Sequence, residues 1–204
     1  MRPTASPWRA LTAGALVAVI WAGSASAAVP TPMTGRGPYG ELRSLADLSA
    51  RRLGTAVAVA AAKWGTGGPV DDPAREQQVL DAAARRARAA GADPVTTVKI
   101  FRDQIEANKQ VQRALHSRWQ ANPEEVPGET PDLSVVREKI NRLNLALVRV
   151  IAVSAAPREA SSCRAGLAVA AVRVRHDRRL DRVHAAALAR ALRSVCAGAP
   201  DEVP

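Results

Sequence analysis

The sequence predicts an all-α fold, a single-domain bundle of about six helices closed by one disulfide. Three observations carry this. Every long segment after residue 40 repeats its apolar residues at helical spacing, and none alternates like a strand. Aromatic residues make up only 3% of the chain while Ala is abundant, which suits close helix packing. The gaps between periodic segments are short and hold the Gly and Pro residues that end helices.

The elements follow in order. Residues 1–27 read as a secretory signal peptide: Arg2 and Arg9 give a basic start, Leu11 to Ala22 an apolar run too short to span a bilayer, and Ala25-Ser26-Ala27 a small-residue cleavage site, with cleavage near Ala27-Ala28. No later stretch is apolar enough for a membrane span, so the product is expected to be secreted or periplasmic, with no membrane partner. Residues 28–40 are rich in Pro and Gly and read as a flexible arm. The domain is then 41–204, with helices expected at about 41–64, 73–90, 94–119, 132–154, 163–173 and 177–196. Asp72-Pro73, Asp93-Pro94 and Thr130-Pro131 each put a capping side chain before a proline at the first helical position.

The formal charge of +10 falls to +8 without Arg2 and Arg9. Nearly all basic residues are Arg, a skew that resembles codon bias, so the high pI is no sign of a polyanionic partner. The rare lysines, Lys63, Lys99, Lys109 and Lys139, are each slightly more informative. Two cysteines in an exported chain read as one disulfide, Cys163–Cys196, worth roughly 3–4 kcal/mol on a chain-entropy argument; two free buried thiols are the alternative. His116, His176 and His184 show no metal-ligand spacing with them, so no metal is expected.

Charged and amide residues interrupt the apolar stripes. Arg52 and Lys63 are eleven residues apart, three turns plus about 20°, and share a face with Leu45, Leu48, Ala56 and Val59. Arg137 and Asn144 fall within the stripe Leu133, Ile140, Val148 and Ile151. Asn108 and Gln112 replace apolar residues in the stripe Val98, Phe101, Ile105, Leu115 and Trp119, while Asp72, Arg75 and Glu76 open the second helix. Singly, each has a bland reading: an Arg snorkels, an amide bonds to nearby backbone, Asp72 caps. Together they put cations and amides on apolar faces of three helices with no matching run of acids there. Buried charge without a partner is costly, so a ligand is expected to supply the anions, and the Arg fork matches a carboxylate. No Ser-His-Asp grouping and no phosphate-binding glycine loop is present. The pocket implied suits anion binding, or a reaction needing only positioning and charge stabilisation.

These residues resemble the secreted, helical chorismate mutases, the exported subclass of the AroQ type. The similarity runs from about Glu41 to Cys196. It rests on the order Arg52, Lys63, Arg75, on "KW" at Lys63, "REQQ" at Arg75, "FRDQI" at Phe101 and "PDLSVVREKINRLN" at Pro131, and on the cysteine pair. The resemblance implies long helices lining one active site and a cofactor-free Claisen rearrangement of chorismate to prephenate, a step of aromatic amino acid biosynthesis. It implies that Arg52 and Arg137 hold substrate carboxylates, that Arg75 completes the basic lining, and that Lys63 binds the ether oxygen and a carboxylate. Gln112 would hydrogen-bond that oxygen from the opposite side. Glu76 would meet the substrate hydroxyl with Asp72 nearby, and Asn108 is a contact one turn before Gln112. It further implies a homodimer. No segment remains for a separate regulatory or dehydratase domain, so a monofunctional enzyme is expected.

The sequence departs from the pattern where Gln112 stands in a place that secreted relatives can fill with Glu, where Asn108 replaces Ser or Thr, and at Val79, a polar position in some relatives. Gln donates without being protonated, whereas Glu does not, so a rate nearly level between about pH 5 and 8 is expected. Two rival readings are a nucleic-acid binder using Arg85–Arg88 and Arg173–Arg182, and a mutase fold without turnover that binds a small anion or acts as a secreted effector. The first lacks interleaved aromatics and is not expected; the intact cation and amide set speaks against the second.

Overall fold

The computed structural model describes residues 37–197. The expected signal peptide, its cleavage site and residues 28–36 of the arm lie outside the described residues. The described chain forms eight α-helices and one 3-10 turn: α1 (Pro38–Leu53), α2 (Ala56–Thr66), α3 (Pro73–Ala89), α4 (Pro94–Ala121), the 3-10 turn Pro123–Glu125, α5 (Leu133–Val153), α6 (Ala155–Glu159), α7 (Cys163–Asp177) and α8 (Arg182–Ala191). No strand occurs among the described residues.

The main correction is at the first helix, expected unbroken over 41–64. It begins at Pro38, so the last three residues assigned to the arm are helical, and it divides at Gly54-Thr55. Both residues stay near the right-handed helical region, with φ of −60° and −82°. What changes is the bonding: Thr55 N–H reaches only three residues back to the Arg52 carbonyl, and its hydroxyl donates to the same oxygen at 2.7 Å. A hydroxyl competing for a backbone acceptor bends helices in this way.

The other differences are smaller. Asp72 and Asp93 cap α3 and α4 ahead of a proline, as expected. Thr130-Pro131 does not start α5; Asp132 caps it instead, accepting from Ser134 N–H at 2.7 Å. The expected breaks contain the 3-10 turn and α6, and α4 continues to Ala121. Helix α7 continues past residue 173 to Asp177, which accepts from Arg43 of α1 at 3.0 Å, while Arg178 just beyond donates to Asp47 at 2.7 Å. Arg179 then turns the chain in the left-handed region (φ 49°), a cost of roughly 1–2 kcal/mol for a residue with a Cβ. Helix α8 is correspondingly shorter than 177–196.

Helix α4 is the axis of the bundle and packs against α2, α3 and α8, while α1 packs against α5 and α7. The apolar stripes meet in one core, with Trp119, Phe101, Leu45, Leu53, Leu147 and Ile151 all but inaccessible. The polar side chain of Gln104 is also fully buried there; its amide nitrogen donates to Ser49 Oγ at 2.7 Å and to the Ala191 carbonyl at 3.0 Å, tying α4 to α1 and to the end of α8. Cys163 and Cys196 form a disulfide across 33 positions, joining the start of α7 to the segment after α8.

Candidate active site

A cavity of about 130 Å³ opens where the α1–α2 junction faces α3, α4 and α5. All eight residues that the sequence nominated for substrate line it: Arg52, Lys63, Asp72, Arg75, Glu76, Asn108, Gln112 and Arg137. The break at Gly54-Thr55 puts Arg52 and Lys63 on two helices, yet both still face the same space. Val59, Val79, Ile105, Leu133 and Ile140 supply apolar wall. Among the described lining residues, five cations stand against two carboxylates, a net charge of +3.

Arg52 is the most enclosed of the five, at 5% exposure. Its Nε donates to Asn144 Oδ1 at 2.9 Å and its Nη1 to the Gln104 carbonyl at 2.8 Å. Neither acceptor is charged, and burial alone pulls the guanidinium pKa down to about 10. Lys63, in the last turn of α2, donates to the Val70 carbonyl at 2.7 Å. Burial lowers its pKa, opposed by Asp72, Asp71 and Glu76 and reinforced by the field of Arg137. Arg75 Nη1 donates to Gln78 Oε1 at 3.0 Å, and Arg137 lies exposed on α5 at the rim.

Asn108 and Gln112, one turn apart on α4, form an oriented pair. The Arg52 carbonyl can only accept, so Asn108 presents its Nδ2 there, at 3.4 Å. Its Oδ1 therefore faces Gln112, which donates its Nε2 at 2.7 Å. One N–H of that amide remains unspent. Gln112 Oε1 is buried without a partner among the described residues.

The acidic side of the cavity holds a residue that the sequence reading passed over. Lys109, on α4 and only 9% exposed, lies 2.9 Å from Asp71, 3.1 Å from Glu76 and 2.6 Å from Glu106. Its desolvation is outweighed by these three carboxylates, so its pKa is raised. Asp71 also accepts from Arg113 at 2.7 and 2.9 Å, and the two cations hold its carboxyl below the usual range. Thus the acids expected to be missing are present, but they gather on Lys109. Asp72 spends Oδ1 on capping α3 through Arg75 N–H at 3.0 Å, and its own N–H reaches Glu76 Oε1 at 3.4 Å. The rarity of lysine and the i,i+3 spacing of Glu106 were the signals available for Lys109; Asp71 and Glu76, on a loop and on α3, gave none.

Among the described residues the lining contains no Ser, Cys or His. His116 instead packs against Trp64 and Trp119 and bonds the Ala60 carbonyl at 3.0 Å. What the walls offer is directed N–H groups and positive charge around an apolar slot. That can bind an anion with two separated negative groups and stabilise charge that develops between them.

Comparison with known proteins agrees. The profile of the chorismate mutase type II family matches residues 43–113, which include Arg52, Lys63, Arg75, Asn108 and Gln112. A secreted chorismate mutase of Mycolicibacterium smegmatis is 38% identical over 173 residues, 85% of this chain and 96% of that protein. A secreted chorismate mutase of Mycobacterium tuberculosis is 35% identical over 160 residues, 78% of this chain and 80% of that protein. The crystal structure of chorismate mutase from Burkholderia thailandensis superposes with a TM-score of 0.73 at 37% identity, covering 76% of this chain and 99% of that one. With a relative matched along nearly its whole length and a cationic, amide-lined cavity inside the matched region, the chain belongs to the chorismate mutase family.

Proposed function

We propose that the protein is a secreted chorismate mutase that converts chorismate to prephenate without a cofactor. The reaction is an isomerisation: one C–O bond breaks as one C–C bond forms, and no proton changes hands. A wall without acid, base or nucleophile in the usual grouping is therefore sufficient. The observation that carries the reading is the convergence of Arg52, Lys63, Arg75, Gln112 and Arg137 on one cavity of net positive charge.

In this reading Arg52 and Arg137 each take a carboxylate of the dianion, and Arg75 adds to the field. Lys63 has three N–H groups and spends one on Val70; the others serve the ether oxygen and a carboxylate. The spare N–H of Gln112 approaches that oxygen from the opposite wall. Both stabilise the negative charge that grows on oxygen as the bond lengthens, and they gain strength in a site that excludes water. Glu76, fixed by Lys109, accepts from the substrate hydroxyl, with Asp72 beside it. Asn108 acts chiefly by orienting Gln112. The chain leaves the cytoplasm behind a cleaved signal peptide and acts as a homodimer, an assignment that rests on family resemblance. The helix that supplies Arg137 belongs to the same chain as Arg52 and Lys63, so the site need not cross an interface.

Disappearance of chorismate absorbance with mature protein tests the reading. Lys63→Ala is expected to lose about 10²–10³ in rate, the range for removal of one donor to developing charge. Equal rates for the two proteins would sink the mechanism.

A further inference from the structure

Arg52 is fixed on both sides before any ligand arrives, and both fixing groups are neutral. Asn144 Oδ1 takes Nε and the Gln104 carbonyl takes Nη1. No carboxylate among the described residues pairs with this guanidinium, and burial alone accounts for its altered acidity. A guanidinium has five N–H groups, so three are left. Asn144 is itself 2% exposed, in the α5 stripe with Val148 and Ile151. It stands seven residues, two turns, after Arg137 on the same helix, so α5 brings one cation to the cavity rim and an aiming acceptor to another.

We propose that Asn144 is the positioning residue of Arg52: with the Gln104 carbonyl it fixes the plane of the guanidinium through neutral acceptors, leaving three N–H groups and the whole positive charge for a substrate carboxylate. This rests on the reading of Arg52 as a carboxylate ligand. An Asp at 144 has the same size and accepts more strongly, but it spends the charge inside the protein. The new carboxylate would pair with Arg52 whichever part the amide plays, so an intact fold only makes the variant readable. The part is decided by binding of the dianion, which weakens if the amide must stay neutral and is unchanged if it is merely structural.

The experiment compares wild type with Asn144→Asp, using Asn141→Asp, an exposed site on the same helix, as the control for added charge. It measures KM and kcat for chorismate, and the shift in Tm on adding a bicyclic ether dicarboxylate shaped like the transition state. For Asn144→Asp the expected result is an unliganded Tm at or above wild type and KM raised at least about tenfold, the scale of one charge-assisted hydrogen bond. The Tm shift with dicarboxylate should shrink, and kcat should change less than KM. Asn141→Asp should match wild type. Wild-type KM in Asn144→Asp overturns the proposal. If Asn144→Asp does not fold, Asn144→Thr, which keeps a neutral acceptor, should bind the dicarboxylate better than Asn144→Leu; equal binding by these two overturns it. Wild type that binds the dicarboxylate but does not convert chorismate refutes the catalytic reading and leaves this one standing. Wild type that does not bind it refutes this one.

Discussion

Two buried cations face the same cavity from α1 and α4 and are held in opposite ways. Lys109 is surrounded by Asp71, Glu76 and Glu106, and its charge is neutralised by the protein. Arg52 has only an amide oxygen and a backbone carbonyl, and its pKa falls to about 10 under burial. The first arrangement fixes structure: it clamps the loop carrying Asp71 and the first turn of α3 onto α4. The second keeps charge in reserve at the expense of stability. Position on an apolar helix face does not separate the two roles; the charge of the partners does.

The largest expected effect tests the reserve. Arg52→Met should lower kcat/KM by about 10²–10³ while changing Tm little, because the deleted charge was itself costly to bury. Kinetics and thermal melts on one preparation check both halves, and a strongly destabilised Arg52→Met would collapse the contrast. Next is the neutral pair on α4. Wild type should be nearly level between about pH 5 and 8. Gln112→Glu should instead lose rate about tenfold per pH unit above the pKa of the new carboxyl, since only its protonated form donates. A pH–rate profile matching wild type would remove Gln112 from the ether oxygen.

Lys109→Met should show the inverse of Arg52→Met. It leaves three carboxylates facing one another and, discounted for their partial exposure, should cost about 1–3 kcal/mol in urea unfolding. Its rate loss should be smaller, on the order of tenfold, acting through Glu76. The smallest effect concerns Asp71. Its folded pKa lies below the unfolded value, so its contribution to stability is fully present above about pH 4 and is lost as pH falls through the depressed value. Urea midpoints between about pH 2 and 6 should therefore fall less steeply with acid in Asp71→Asn than in wild type. Parallel curves would show that the clamp does not depend on Asp71 ionisation.

The helices and most of the cavity lining were legible because periodicity and caps are local. Arg52, Arg137, Asn108 and Gln112 could be found as interruptions of an apolar stripe, a signal present in the sequence itself. Lys109 could not, for it sits next to the stripe and its meaning lies in Asp71 and Glu76, which a loop and another helix bring to it. Asn144 was visible as a stripe residue, but its partner Arg52 is 92 positions away, and no spacing rule links them. The division at Gly54-Thr55 was missed although Arg51, Arg52 and Gly54 have the pattern of a helix end, because the apolar stripe runs on across it and both residues keep near-helical torsions.

The disulfide encloses residues 163–196, and among the described residues those lining the cavity fall between 52 and 140. Along the chain, the covalent ring and the site do not overlap. The ring instead braces the site from behind: it fastens the start of α7 to the segment after α8, and α7 and α8 are the helices on which α1 and α4, two walls of the cavity, are packed.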